Sequence, residues 1–331
     1  MANFFNRTGH VEIIKQKTSF TTQYKTTDEI VYSTYYGDVM KVMDGIDFKF
    51  KIKKLSDMTS TDCYADVSIL GLSRETIKAL ATTHPVGIEL TFQKRIRVYA
   101  SYEDFGDNLI FDGDIVLAQP SMPPDNWLNI RAFVGNYRHF QLYSSSINEE
   151  LQIGRLMENS ARELGLKKVK FCDANDAKVR AEMIRKIKGF DCSGTKADLL
   201  QMLNRVSDFC VFEDNGMLVC KLRDDGRRSR TTAAVISEST GMIGIPEVLV
   251  GSVTGKGKKK SSDDSSSSLR LKVTCFINPS IQLWDLVYLK SVYLSDADGY
   301  YTVNEIEYSG HLRGQDWYMT LTLTATNVGR T

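Results

Sequence analysis

The segment Gly189-Phe190-Asp191-Cys192-Ser193-Gly194-Thr195-Lys196 is one transposition away from a phosphate-binding loop. Such a loop ends Gly-Lys-Ser/Thr, so that the lysine reaches a phosphate and the hydroxyl reaches magnesium. Here the last two residues are exchanged, and residues 184–188 ahead of them make a poor buried strand. The segment is read instead as a helix N-cap supplied by Ser193 or Thr195. Asp296-Ala297-Asp298-Gly299 begins like a calcium loop but lacks the further oxygen ligand and the distal Glu, which leaves a solvated hairpin turn. The four histidines, His10, His84, His139 and His311, are scattered, and none lies in a His-Glu-x-x-His pattern. No Gly-x-Ser-x-Gly elbow is present, and no carboxylate pair is marked out for acid/base work. The six cysteines, Cys63, Cys172, Cys192, Cys210, Cys220 and Cys275, form no Cys-x-x-Cys pair and read as free thiols serving as small hydrophobes. Lys256, Lys258, Lys259 and Lys260 cluster without interleaved aromatics. Nucleic-acid contact is one reading of them, but Asp263, Asp264 and the serine run favour a solvated or interface loop. Trp127 and Trp317 open amphipathic strands, where tryptophan anchors a core or barrel end more often than it binds ligand. The sequence thus nominates no catalytic, cofactor-binding or metal-ligating residue, and the chain is not expected to be an enzyme.

Composition is ordinary for a soluble globular protein. The chain has 331 residues, 42% hydrophobic and 25% charged, with a formal net charge of +1. That length provides for two or three domains with their own cores. The near-zero charge supplies no overall field toward nucleic acid or an anionic membrane. No run approaches the roughly 20 apolar residues of a spanning helix. The opening residues Met1 to Arg7 lack the basic-then-apolar order of a signal peptide, so synthesis and residence in the cytosol until assembly or release are expected.

The elements fall into three sections. The first third reads as β. Phe48, Phe50 and Ile52 alternate with Lys49, Lys51 and Lys53, giving one dry and one wet face. Residues 67–72 form a second strand, and Ser73 caps a short helix over 74–80 with Glu75 in its first turn. Residues 88–92 and 95–102 look like strands, residues 108–117 read as a strand bent or bulged at Gly113, and residues 122–125 turn the chain. The middle section changes period. Ser146 with Glu149 reads as a capping box ahead of a helix. Ile153, Leu156, Met157, Ser160 and Leu164 share that helix's face, and Gly165 stops it. A second capping box, Thr195 with Asp198, opens the helix over 199–206. An Asn215-Gly216 turn then joins two apolar strands in a hairpin. The last third is β again: Leu269, Leu271, Val273 and Cys275 alternate with polar residues, Asn278-Pro279 turns, residues 287–294 form a long strand, and the alternation slips at Asn304-Glu305, as a bulge would make it. The polar stretch 251–268 is low in complexity and expected to be flexible in an isolated chain and ordered in an assembly.

One pattern occurs twice. Ile115-Val116-Leu117-Ala118 leads through a turn to Asp125-Asn126-Trp127 and a strand; Ile306-Glu307-Tyr308-Ser309 leads through a turn to Asp316-Trp317 and a strand. Two related β modules in one chain let three chains present six similar units. The expected fold is β-rich α+β: two related β modules over 1–143 and 236–331, separated by a small α+β domain over 144–235.

Residues 67–80 (VSILGLSRETIKAL), then Arg97-Val98-Tyr99-Ala100-Ser101-Tyr102 and Leu109-Ile110-Phe111-Asp112-Gly113-Asp114-Ile115, resemble the baseplate hub (tail hub or late-control-type) proteins of contractile-tailed bacteriophages and, similarly, the base of the type VI secretion spike. Gly241-Met242-Ile243-Gly244-Ile245-Pro246, Asn278-Pro279-Ser280-Ile281, Gly299-Tyr300-Tyr301-Thr302-Val303 and the Trp317 strand follow the same order. Where the family often carries a glycine after Asn-Pro-x-Ile, this chain has Leu283-Trp284-Asp285, which puts the local turn in question. The resemblance implies that both modules, 1–143 and 236–331, are tube-type β-barrels, and that the chain forms a homotrimeric ring with pseudo-sixfold symmetry that joins a sixfold tail tube to a threefold central spike in the virion. It implies as partners the spike, the tail tube or tube-initiator protein, the tape measure protein and the baseplate wedge. DNA would be met only in transit through the lumen, with no membrane insertion. The alternatives are a tail-associated cell-wall hydrolase and a host-surface-binding tail module.

Overall fold

The structure, a computed structural model, describes residues 6–19, 25–33, 47–55, 63–81, 93–135, 142–166, 168–223, 233–249 and 269–325. Its β-rich first section contains β1 (Arg7–Ser19), β2 (Lys25–Ser33), β3 (Asp47–Leu55), β4 (Tyr64–Leu70), α1 (Arg74–Leu80), β5 (Gln93–Tyr102), β6 (Leu109–Pro120) and β7 (Leu128–Phe133). The alternation in β3 is realised as read: Phe48, Phe50 and Ile52 are buried, while Lys49 and Lys51 are exposed. Ser73 caps α1 by accepting a hydrogen bond from the Thr76 N–H at 3.1 Å. Gly113 is not a bulge. It sits in ladder opposite Ile96, where a Cβ would lie 2.6 Å from the Phe111 ring and 2.7 Å from the Phe133 carbonyl. Close approach demands glycine there, and the register shifts fall on either side, at Val98/Tyr99 and Ile115/Leu117.

The middle section holds β8 (Tyr143–Gln152), α2 (Ile153–Glu163), β9 (Val169–Phe171), α3 (Ala177–Ile184), β10 (Lys186–Gly194), α4 (Lys196–Val206), β11 (Phe209–Asp214) and β12 (Met217–Leu222). The Ser146–Glu149 capping box does not form. Those residues lie in β8, with Ser146 opposite Asp191, and the helix starts later from Gln152 without a side-chain cap. A partner strand outcompeted a local motif that offers a hydrogen bond or two. The predicted face of α2 is buried at Ile153, Leu156, Met157, Ser160 and Leu164, and Gly165 ends it at φ +62°. Asn215 (φ +50°) and Gly216 (φ +73°) make the expected turn between β11 and β12. This section has its own core around Ile153, Met157, Leu199, Phe209 and Cys220.

The last section holds β13 (Ala234–Ile236), β14 (Met242–Leu249), β15 (Arg270–Phe276), β16 (Leu286–Leu289), β17 (Gly299–His311) and β18 (Trp317–Ala325). The long strand predicted over 287–294 stops at Leu289. Beyond it the Val292 N–H donates to the Glu238 carboxylate (2.9 Å) and the Ser291 N–H to Asp298 (2.8 Å), so side chains take the groups a ladder would need. The bulge at Asn304 is present, between Val303 and Glu305. Within Leu283-Trp284-Asp285, Trp284 takes φ +64°, and its N–H donates to the Val303 carbonyl at 2.8 Å. A bulky residue therefore occupies the left-handed region in this turn.

First and last sections share one sheet. Among the described residues it runs β14-β15-β18-β17-β3-β4-β7-β6-β5-β1-β2, with β16 on β17 and β13 on β16. No ladder among those residues closes either set into a barrel. The two sets nevertheless follow the same order. β3-β4-β7-β6-β5-β1 corresponds to β14-β15-β18-β17-β16-β13, and the bulges coincide: Ile115 and Leu117 face consecutive residues Ala132 and Arg131, as Val303 and Glu305 face Leu323 and Thr322. One ladder differs, since β1 pairs β5 antiparallel and β13 pairs β16 parallel. Both sets share a continuous apolar core.

Candidate assembly interface

Two kinds of contact organise the molecule: the junction between the strand sets, and buried ion pairs that hold the middle section against them. The junction is the antiparallel ladder of β3 with the second half of β17, from Glu305 opposite Leu55 to His311 opposite Lys49. Lys53 Nζ lies 2.6 Å from Glu305 and 3.6 Å from Glu307, and the Glu305 hydrogen bond raises the lysine pKa. At one end the His311 ring contacts Asp47 at 2.7 Å and the Trp127 ring at 6.3 Å.

The middle section is fastened by lysines whose alkyl stems are buried. Lys54 of β3 reaches Asp214 at the tip of β11 (2.6 Å). Lys221 of β12 pairs with Asp285 of the last section, while the buried pair of Lys196 in α4 with Glu213 in β11 lies within the middle section itself. Beside the first pair, the Asn215 amide donates to the Leu109 carbonyl (3.2 Å), and Gly216 faces the buried Arg95–Asp112 pair (2.8 Å). Desolvation offsets much of the attraction in such pairs, but removing one partner strands a charge, at about 3–5 kcal/mol. These residues fix placement more than they add stability.

The chemistry-bearing sequences of the chain resolve as follows. Gly189–Lys196 spans the end of β10 and the first residue of α4, and Thr195 forms the capping box with Asp198. Lys196 is turned inward to Glu213. Asp298 accepts from the Ser291 backbone. His10 is buried and stacked on Tyr99 (4.1 Å), with Asp107 3.4 Å away; burial lowers its pKa to about 4. None of the six cysteines is joined in a disulfide, and burial pushes the Cys275 thiol up to about 12. Trp317 is 2% exposed, whereas Trp127 is half-buried on the rim with Lys49 Nζ 4.6 Å over its ring. The anchor reading therefore holds for Trp317 and is corrected for Trp127. His84, His139, Lys256, Lys258, Lys259, Lys260 and the stretch 251–268, with the strand predicted over 88–92, lie outside the described residues. Among the described residues no cluster of His, Cys, Asp and Glu has a metal-holding arrangement, and no helix is long and apolar enough to cross a membrane.

Sequence reasoning missed the ion pairs. A signal existed for one: continuing the β3 alternation past Ile52 puts Lys54 on the dry face, where a lysine needs a buried acid.

The outer strand β14 presents Ile243, Ile245 and Val248, which are 39%, 57% and 50% exposed, and β6 presents Leu117 at 39%. A long, mostly antiparallel sheet whose outer described strand exposes apolar side chains, braced by buried ion pairs, defines a β-rich α+β protein. The family described as baseplate hub gp41 matches residues 29–254, more than half of the chain, and the chain belongs to that family. It is accordingly a structural protein of the bacteriophage virion, in the tail baseplate. In fold it is similar to a tail protein from Neisseria meningitidis MC58 (TM-score 0.56, 10% identity, 98% of each chain covered). It is also similar to a chain of the Francisella PdpA-VgrG complex (TM-score 0.53, 8% identity), covering 98% of this chain and 59% of that one. No curated protein matches it in sequence.

Proposed function

We propose that this chain is the hub that joins a sixfold tail tube to a threefold central spike in a contractile tail. Three copies form a ring whose lumen passes the genome. The observation that carries this reading is the pair of strand sets in one order with coincident bulges, joined side by side through β3 and β17. Each set is a tube-type module, over 1–143 and 236–331, and the α+β domain over 144–235 is held between them. A homotrimer then offers six similar units to the tube and three identical chains to the spike, matching both symmetries without turnover. The likeness to a chain of a VgrG-containing complex supports a spike as partner. The tube or tube-initiator protein, tape measure protein and baseplate wedge complete the partner set, with assembly in the host cytoplasm.

Electron cryomicroscopy of the purified full-length chain, alone and with the tail's spike protein, tests this. The expected image is a ring of three chains with six similar lobes around an open centre. A ring of another chain number, or a spike complex lacking threefold symmetry, overturns it.

A further inference from the structure

A channel through a ring of modules needs a wall that both modules share and that the single middle section leaves clear. The β3·β17 junction supplies such a surface. Side chains alternate along a strand, so residues opposite one another in successive ladders share a face. From Lys51 the ladders lead one way to Asp66 and Arg131, and the other way to Ser309, Tyr318 and Phe276. One face therefore runs from the first strand set into the last without a break. The opposite face, with Phe50, Ile52, Val273 and Leu321, is core.

The shared face is open. Lys49, Lys51, Asn129, Arg131 and Arg270 are exposed on it. The bonds that fasten the middle section go elsewhere: to Lys54 on the dry side of β3, to the Leu109 carbonyl, and to Leu283 and Asp285. The outward face of β1 and β5 is no rival. It carries His10 and the Arg95–Asp112 pair, which are buried, and Gly216 of the middle section lies against Arg95.

Charge on the shared face is arranged in pairs. Its bases are Lys49, Lys51, Lys53, Arg131, Arg270 and Lys272. Five acids, Asp47, Asp66, Glu247, Glu305 and Glu307, stand among them and bring the face close to neutral. Arg131 lies 2.7 Å from Asp66, Lys53 lies 2.6 Å from Glu305 and 3.6 Å from Glu307, and Lys272 lies 3.8 Å from Glu307. DNA is gripped chiefly by bases that displace its counterions. A base already matched by a carboxylate must first give that partner up.

We propose that this shared face is the wall of the lumen, and that its ion pairs keep double-stranded DNA from adhering as it passes. This rests on the trimeric hub reading and adds the surface that the genome meets.

The test uses the full-length chain. Lys51→Cys labelled with maleimide undecagold should show gold inside the channel by electron cryomicroscopy, absent from wild-type chain treated alike. Gold on the outer surface overturns the wall and leaves the hub reading standing. A chain that forms no ring overturns both.

Fluorescence anisotropy with a short DNA duplex measures adhesion. Asp66→Asn, Glu305→Gln and Glu307→Gln together release Arg131, Lys53 and Lys272. That triple variant should bind about tenfold more tightly than wild type or better, and its plot of log affinity against log salt should steepen by about 2–3, near 0.9 for each released base. Glu149→Gln, Glu158→Gln and Glu163→Gln together change net charge equally at exposed positions of the middle section. That control should stay within about threefold of wild type. No gain in the first variant, an equal gain in both, or wild-type chain that already binds as tightly as the first variant overturns the role of the ion pairs.

Discussion

The hairpins β6–β7 and β17–β18 carry the same acid-then-tryptophan exit, yet Trp317 is at the centre of the core and Trp127 is on the rim. The coincident bulges explain the difference. Counted from them, Trp317 corresponds to Asn126, and Trp127 corresponds to Tyr318. A one-residue offset in a strand sends the side chain to the opposite face. Trp317 therefore packs between Phe48 and Phe50, with ring centroids at 6.5 and 5.3 Å, and its indole N–H donates to the Ser101 carbonyl at 3.0 Å. Tyr102 donates to the Trp317 carbonyl at 3.0 Å. Trp127 points the other way and meets Lys49 and His311 at the junction of the strand sets. Likeness of motif identified the duplicated unit; only register decided what each tryptophan does.

The comparison is most directly broken at Trp317. Trp317→Ala should cost about 3–5 kcal/mol in chemical denaturation, the usual loss for a buried aromatic. A loss no greater than that of Trp127→Ala would refute the assignment of core and rim. Gly9 lies under the same ring, where a Cβ would fall 2.9 Å from both the indole edge and the Tyr99 carbonyl. Gly9→Ala should thus destabilise by about 1–3 kcal/mol through overpacking, and a neutral melting curve would show that the ring yields.

The adjacent residue supplies a pH test at the same end of the sheet. His10 stacks on Tyr99, faces Asp107 and Glu12, and lies near Arg97, which pairs with Glu12 at 3.9 Å. Its folded pKa, about 4, is below the unfolded value of 6.5, so the native state binds the proton less readily. Its contribution is complete above pH 6.5 and is lost as pH falls from there toward 4, by about 3 kcal/mol. Asp107, whose carboxyl burial holds above its usual range, offsets part of this. His10→Phe keeps a ring on Tyr99 and should flatten the pH profile in that window; equal slopes in both proteins would remove His10 as the cause. The smallest effect is expected at the rim. Trp127→Ala should cost about 1 kcal/mol, because a half-exposed cation–π contact contributes little. A larger loss would mean that the junction depends on it.

Much of the fold was readable because local physics and tertiary context agreed. The β3 alternation, the Ser73 and Thr195 caps, the Asn215-Gly216 turn and the Asn304 bulge each depend on residues within a few positions of one another. The Ser146 box failed where a distant strand, β10, offered a full ladder. The strand after Leu289 failed where Glu238 and Asp298 captured its amides. The buried lysines were not read at all, since their acids lie on other elements.

By itself the sequence determined the β-rich class, the duplicated hairpin and the family, since periodicity, turn chemistry and motif order are written along the chain. Tertiary structure alone decided the register that separates Trp317 from Trp127, the β3·β17 junction and the pairing of Lys54, Lys196 and Lys221. Those depend on residues that the chain brings together across 17 to more than 250 positions, and only packing of the two strand sets and the section between them selects one partner over its alternatives.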